Sequence, residues 1–217
     1  MKQKIQAIVF DFDGVVVDSE PLYRKAEEKF FAEYGVTIPS EDWKYFKGLS
    51  EEGFFKLAFE KYGISAQSEE LRNRSRELYL DEIKHNLMYL PGFEEFFEDI
   101  KDNYKIGLVT STPRLILKWI FSNTEVKNHF EYIITADDVE KSKPDPAPYL
   151  EICKKMNVKP EQVIVIEDSI NGVNSAVAAG AITIGFTSSL SEEDMKAANY
   201  FAKSYNEIKK IIDAFIS

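Results

Sequence analysis

Histidine and cysteine are nearly absent from this chain: among 217 residues there are two histidines and one cysteine. A lone thiol can form no intramolecular disulfide, and Cys153 stands in a helical stretch, Tyr149-Leu150-Glu151-Ile152-Cys153, as a small core residue would. His85 and His129 fall outside every motif described below, which excludes a histidine-based triad and a histidine zinc site. Basic residues are also short, 27 lysines and arginines against 37 acids, for a net charge of −10. No broad positive field is left for a polyphosphate backbone or an anionic membrane, so neither nucleic acid nor membrane is expected as a partner. Long apolar runs are missing too. The first, over 7–10, is cut off by Asp11, far short of the roughly 20 residues that span a bilayer, and the expected location is the cytoplasm. Gly/Ser linkers, low-complexity runs and internal repeats are lacking as well.

What is present suits a packed globule: 44% apolar residues, 13% aromatic, and 29% charged to solvate the surface. The length allows one good core plus a subsidiary domain. Two kinds of pattern divide the chain. Over 21–87 the apolar spacing is helical: Leu22, Ala26 and Phe30, then Phe54, Phe55, Ala58 and Tyr62, then Leu71, Leu78 and Leu87. Gly35, Pro39, Gly48 and Gly63 punctuate it, and no strand-like run occurs there. From Pro91 onward short apolar runs alternate with helical ones, at 105–109, 132–135, 162–166 and 181–186, and 5–10 adds a first strand. The expected fold class is α/β: a Rossmann-like, three-layer parallel-sheet core with an inserted all-helical cap domain. The core takes 1–17 and 89–217, and the cap takes 18–88. Chain crossings near 16–18 and 88–91 would suit opening and closing of the cap. This plan needs no second subunit, and a monomer is expected.

Ligands of open parallel sheets bind at the carboxyl ends of strands. The residues that follow the apolar runs are Asp11-Phe12-Asp13-Gly14, Thr110-Ser111-Thr112, Lys141-Ser142-Lys143-Pro144 and Glu167-Asp168. Any one of these is an ordinary turn or helix cap; four together are a site. Clustered carboxylates raise one another's pKa unless a cation compensates them, so a metal is implied. An all-oxygen set from Asp11, Asp168 and a backbone carbonyl fits Mg²⁺ better than zinc. A phosphoryl group has three charged oxygens to neutralise, for which Lys143, the Thr110 hydroxyl and the backbone N–H groups around Ser111 are suited. Asp13 lies on the turn leaving the strand, where its carboxyl can protonate a departing alkoxide and later deprotonate water.

These segments, extended through Val15-Val16-Val17-Asp18-Ser19 and with Val109, Ser142-Lys143-Pro144 and Ser169, resemble in order the four motifs of the haloacid dehalogenase superfamily. The resemblance covers essentially the whole chain and is nearest to the branch of β-phosphoglucomutase and small sugar-phosphate phosphatases. It implies Asp11 as nucleophile, Asp13 as acid/base and carbonyl ligand, Thr110 and Lys143 on the phosphate, Asp168 on Mg²⁺, and Glu167 as an alternate or outer ligand. The founding dehalogenases lack the second acid of the first motif. Asp13 therefore argues for an oxygen leaving group and for phosphoryl transfer. Where β-phosphoglucomutase has a histidine this chain has Tyr23, and where its cap loop reads Lys-Gly-Val-Ser-Arg this one reads Lys47-Gly48-Leu49-Ser50-Glu51. Glu51 would repel the second phosphate of a bisphosphate. The expectation is a phosphatase for a small phosphorylated metabolite, with Tyr23, Lys47, Gly48 and Glu51 of the cap choosing the substrate. The alternatives are a hexose phosphate mutase and a phospho-accepting signalling domain.

Overall fold

The computed structural model describes residues 4–43, 51–64, 69–187 and 190–216, with only the backbone of 51, 52 and 216. The chain forms two compact units, one of residues 1–18 with 88–217 and one of residues 19–87. Among the described residues no helix is long and apolar enough to cross a membrane.

The first unit is built on a six-stranded, wholly parallel sheet in the order β3-β2-β1-β4-β5-β6. Its strands are β1 (Ala7–Phe10), β2 (Lys105–Val109), β3 (Tyr132–Ile134), β4 (Val163–Glu167), β5 (Ile182–Phe186) and β6 (Tyr200–Ala202). Every residue of β1 and β4 is buried, as expected of central parallel strands covered on both faces. The two faces are read out by alternation. Ala7 and Val9 join Val109, Val163 and Val165 in a cluster with Tyr149, Ile152, Cys153 and Met156 of α6 (Ala147–Met156) and Ala176 of α7 (Ile170–Ala178). Phe10 turns the other way. Its ring meets Phe93 and Phe96 of α4 (Phe93–Ile100) edge-on at 5.7 and 6.1 Å, and Phe130 at 6.0 Å. Two more α-helices of this unit are α5 (Arg114–Asn123) and α8 (Tyr205–Ile216).

The sixth strand was not foreseen, because three residues, one of them exposed, carry too little alternation to mark an edge strand. Cys153 is buried in the first cluster, as its pattern suggested. His129 lies in the aromatic layer on the other face, its Nε2 2.7 Å from the Tyr89 hydroxyl, and His85 is on the surface of a helix of the second unit.

The chain leaves and re-enters the first unit along a paired crossing: Val17 bridges Tyr89, Asp18 N–H donates to Met88 O (3.0 Å) and Leu90 N–H to Val16 O (2.9 Å). Between the crossings lies the second unit, with helices α1 (Glu20–Glu33), α2 (Glu51–Tyr62) and α3 (Glu69–Asn86). Ala26, Phe30, Phe31, Phe54, Phe55, Ala58 and Leu78 form its core, so the four-residue spacing read from α1 is the buried stripe. Around it Arg74 grips the Glu33 carboxylate from two nitrogens, at 2.5 and 3.0 Å, tying α1 to α3. Lys29 adds a 2.5 Å pair with the buried Glu82.

Glu27 on α1 is partly buried, and this burial, with Glu28 beside it, pushes its carboxyl up to about 8. The folded chain therefore holds a proton that the unfolded chain gives up near pH 4.5. Stability from this group is complete below pH 4.5 and declines as pH climbs to about 8. Glu27→Gln is expected to flatten that decline and to raise the unfolding free energy at pH 8 by on the order of 1–2 kcal/mol. Urea melts of both proteins at pH 5 and pH 8 measure it, and an equal slope in the two would contradict the assignment.

Candidate active site

Strand order reverses beside β1: its successor β2 pairs on one side and β4 on the other, and the crevice of such a sheet opens at the carboxyl ends there. The registers align Phe10 with Leu108 and with Ile166, so the residues just beyond the three strands emerge side by side. Asp11 follows β1, Thr110 follows β2, Glu167 ends β4 and Asp168 comes next. The ladder continues into the site through Asp11 N–H to Ile166 O and Thr110 N–H to Ile134 O, both 3.0 Å.

Lys143 enters from the loop before α6, preceding a cis peptide bond to Pro144. Its buried ammonium donates to Asp11 Oδ1 at 2.7 Å, Glu167 Oε1 at 2.6 Å and Val109 O at 3.0 Å. Burial alone would lower the pKa of this lysine, but the charges of Asp11 and Glu167 outweigh that and hold it above the ordinary value. Asp11 shows the opposite balance. Burial lifts its carboxyl well above the usual range, Lys143 pulls it back, and Glu167, Asp168 and Asp13 push it further up.

Glu167 is fully buried and heavily engaged. Besides Lys143, its Oε1 accepts from the Tyr149 hydroxyl at 2.7 Å, and its Oε2 accepts from Ser169 N–H and Oγ at 3.3 and 3.0 Å. Gly172, one turn into α7, makes room for it: a Cβ there would lie 1.8 Å from Glu167 Oε1. A second glycine serves Asp168. Gly14 has φ +74°, and a Cβ on it would lie 2.0 Å from Asp168 Oδ2. Asp13, one residue earlier, accepts at Oδ2 from the Thr112 hydroxyl at 3.0 Å.

Asp11, Glu167 and Asp168 each offer a carboxylate oxygen within 4.8 Å of the others. The crowding that raises the Asp11 pKa, one ammonium among four acids, fits a divalent cation taken up by oxygen donors. The structure thus brings together Asp11, Asp13, Lys143, Glu167 and Asp168. Thr110 is 4% exposed beside them, and its hydroxyl accepts from Thr112 N–H at 2.9 Å. Ser111 is exposed just beyond β2, where its backbone N–H is the group read for the phosphate. Tyr23 belongs to the helical unit, where its ring stacks on Tyr79 at 4.0 Å. Lys47 and Gly48 lie outside the described residues, and of Glu51 only the helical backbone is described. Sequence reasoning missed Tyr149, Thr112 and Ser169 as anchors. Tyr149 carried the signal of a core helix residue and nothing more, whereas Ser169 and Thr112 stood inside motifs without a role.

The model of the haloacid dehalogenase-like hydrolases matches residues 8–186, from β1 through β5. The chain belongs to that family. Among its curated relatives, a phosphorylated carbohydrates phosphatase of Thermotoga maritima is 32% identical over 181 residues, 81% of this chain and 82% of its own. Hexitol phosphatase B of Escherichia coli K12 is 30% identical, covering 82% of this chain and 81% of its own. A Thermotoga maritima protein whose crystal structure bears a β-phosphoglucomutase name superimposes with a TM-score of 0.84 at 30% identity, over 97% of this chain and 99% of that one. The chain thus falls in the β-phosphoglucomutase-like phosphatase branch and is a phosphoric monoester hydrolase of the haloacid dehalogenase type.

Removing the hub acid tests the electrostatics. Glu167→Ala strips an acceptor from Lys143, Tyr149 and Ser169 at once and is expected to cost about 3–5 kcal/mol of unfolding free energy. Glu167→Gln keeps an acceptor oxygen and should cost less. Equal urea midpoints for wild type and the alanine variant would show that this buried network contributes nothing.

Proposed function

We propose that the protein hydrolyses small phosphomonoesters, sugar phosphates foremost, through a phosphoryl group carried briefly on Asp11, with Mg²⁺ as cofactor. The observation that carries this reading is the Asp11 carboxylate held at the end of β1, bonded to Lys143 and crowded by Glu167 and Asp168. The names of the relatives, a phosphatase of phosphorylated carbohydrates and a hexitol phosphatase, support the substrate class.

Asp11, Asp168 and the backbone carbonyl of Asp13 would hold the Mg²⁺; the four donors on Glu167 suit it to an outer role. Bound there, the ion supplies positive charge that keeps Asp11 ionised and neutralises phosphoryl oxygens. The Asp11 carboxylate attacks phosphorus as the P–O bond to the alcohol breaks, and Asp13 gives its proton to the departing oxygen. Asp13, now ionised, takes a proton from water. That water attacks the same phosphorus, the Asp11 acyl phosphate opens, and phosphate leaves. Thr110, Lys143 and the N–H groups near Ser111 orient the phosphoryl oxygens, whose charge is spread in the transition state. The Thr112 hydroxyl, 3.0 Å from Asp13 Oδ2, aims the acid/base. Substrate choice falls to the helical unit, with Tyr23, Lys47, Gly48 and Glu51 as its proposed determinants.

Phosphate release from a panel of phosphomonoesters, with and without Mg²⁺, is the direct test. Activity should vanish in EDTA, return with Mg²⁺, and fall by at least about 10³-fold in Asp11→Asn, whose amide is no nucleophile. Normal turnover by that variant would end the scheme. β-Glucose 1-phosphate separates hydrolysis from the mutase alternative: free phosphate is expected, and glucose 6-phosphate would overturn the choice.

A further inference from the structure

We propose that Tyr205 is a positioning residue for this reaction: its buried hydroxyl, donated to the Val15 carbonyl, holds the turn that carries Asp13 against Asp168. Tyr205 opens α8, some 190 residues beyond Val15, and is 3% exposed. Its hydroxyl meets Val15 O at 2.5 Å. The ring has little freedom, lying 5.0 Å from Phe96, 5.3 Å from Phe186 and 5.9 Å from Phe93. A Cβ on Gly92 would lie in van der Waals contact with the Tyr205 Cβ, at 3.6 Å. An aromatic cage of this kind fixes the direction of the phenol C–O bond.

The turn receiving that bond is knitted internally by Gly14 N–H to Val17 O (2.9 Å) and by Val16 and Val17 N–H to Phe12 O (2.9 and 3.1 Å). These bonds shape the turn; its far end is tied by Leu90 N–H to Val16 O (2.9 Å) and the bridge from Val17 to Tyr89, and the Tyr205 bond fixes the Val15 peptide nearer Asp13. Val15 is fully buried and its carbonyl points away from the knit, toward α8. The residue before it, Gly14, rests on the Asp168 carboxylate with no room for a Cβ, and Asp13 precedes Gly14. Asp168 is near enough to raise the Tyr205 phenol, after burial the second cause of its high pKa. A small drift of the Val15 peptide is therefore passed to both acids. Asp13 must reach the leaving oxygen and then a water, and such reach is lost within about 1 Å.

The kinetic part of the test rests on the hydrolytic reading above; amide exchange does not. In Tyr205→Phe, kcat should fall about tenfold with KM within about twofold, since geometry and not substrate affinity is altered. Exchange of the Gly14, Val16 and Val17 amides should quicken about tenfold. Met156→Ala loosens the core cluster of α6 and touches neither Tyr205 nor the turn; it should lower the melting temperature yet keep kcat and turn exchange near wild type. Wild-type kcat and exchange in Tyr205→Phe, equal losses in Met156→Ala, or failure of Tyr205→Phe to fold would each overturn the proposal, the last by making the hydroxyl a requirement of folding. Wild-type protein without phosphatase activity would sink the mechanism and leave the positioning claim to the exchange data.

Discussion

One ammonium organises this site. Lys143 is withdrawn from water and bound at once to the acid that ends β4, the acid that follows β1 and a carbonyl of β2. A buried cation left without such partners would be costly, and buried acids left without the cation equally so. The three neighbouring strands are thus cross-linked electrostatically at the end where the chemistry is proposed. Four carboxylates nevertheless crowd one lysine, and Asp11 registers the excess as a raised pKa. A site balanced in this way is short of positive charge until a cation is taken up, which is a sound arrangement for an enzyme and a poor one for a purely structural ion pair.

The glycines around the acids follow from the same crowding. Glu167 and Asp168 each occupy space that a Cβ would take, on Gly172 and Gly14 respectively. Tyr149 and Ser169 complete the enclosure of Glu167. Each has a second duty: Tyr149 is a core residue of α6, and the Ser169 hydroxyl also caps α7 by accepting from Gly172 N–H at 3.0 Å. Parts of the core and of a helix start thereby hold the hub acid in one rotamer, which is how a rigid scaffold keeps a reactive group in place.

Much of this was legible in the chain. The apolar runs marked five of the six strands, because buried parallel strands are continuous in sequence and bounded by polar residues. Asp11, Thr110, Lys143 and Asp168 stood out because each follows such a run or its loop. The edge strand Tyr200–Ala202 escaped, too short to show a period. Glu167 was implied by the resemblance as an alternate or outer ligand, while two of its partners, Lys143 and Tyr149, stand 24 and 18 residues away in segments that no local spacing connects to it. Tyr205 gave no sign at all, since its partner is a backbone carbonyl, and carbonyls look alike in every sequence.

The order of residues alone determined the alternation of strands and helices, the helical insertion and the identity of the acids and the lysine. These depend on local period and on side-chain chemistry, which a sequence states outright. Tertiary structure alone decided which acids Lys143 binds, which carboxylates come within 4.8 Å of one another, where a Cβ has no room and which groups the buried tyrosine hydroxyls meet. Those outcomes turn on distances of 2–3 Å between residues far apart in the chain. Distances of that kind exist only once the sheet has set its register and the helices have closed over it.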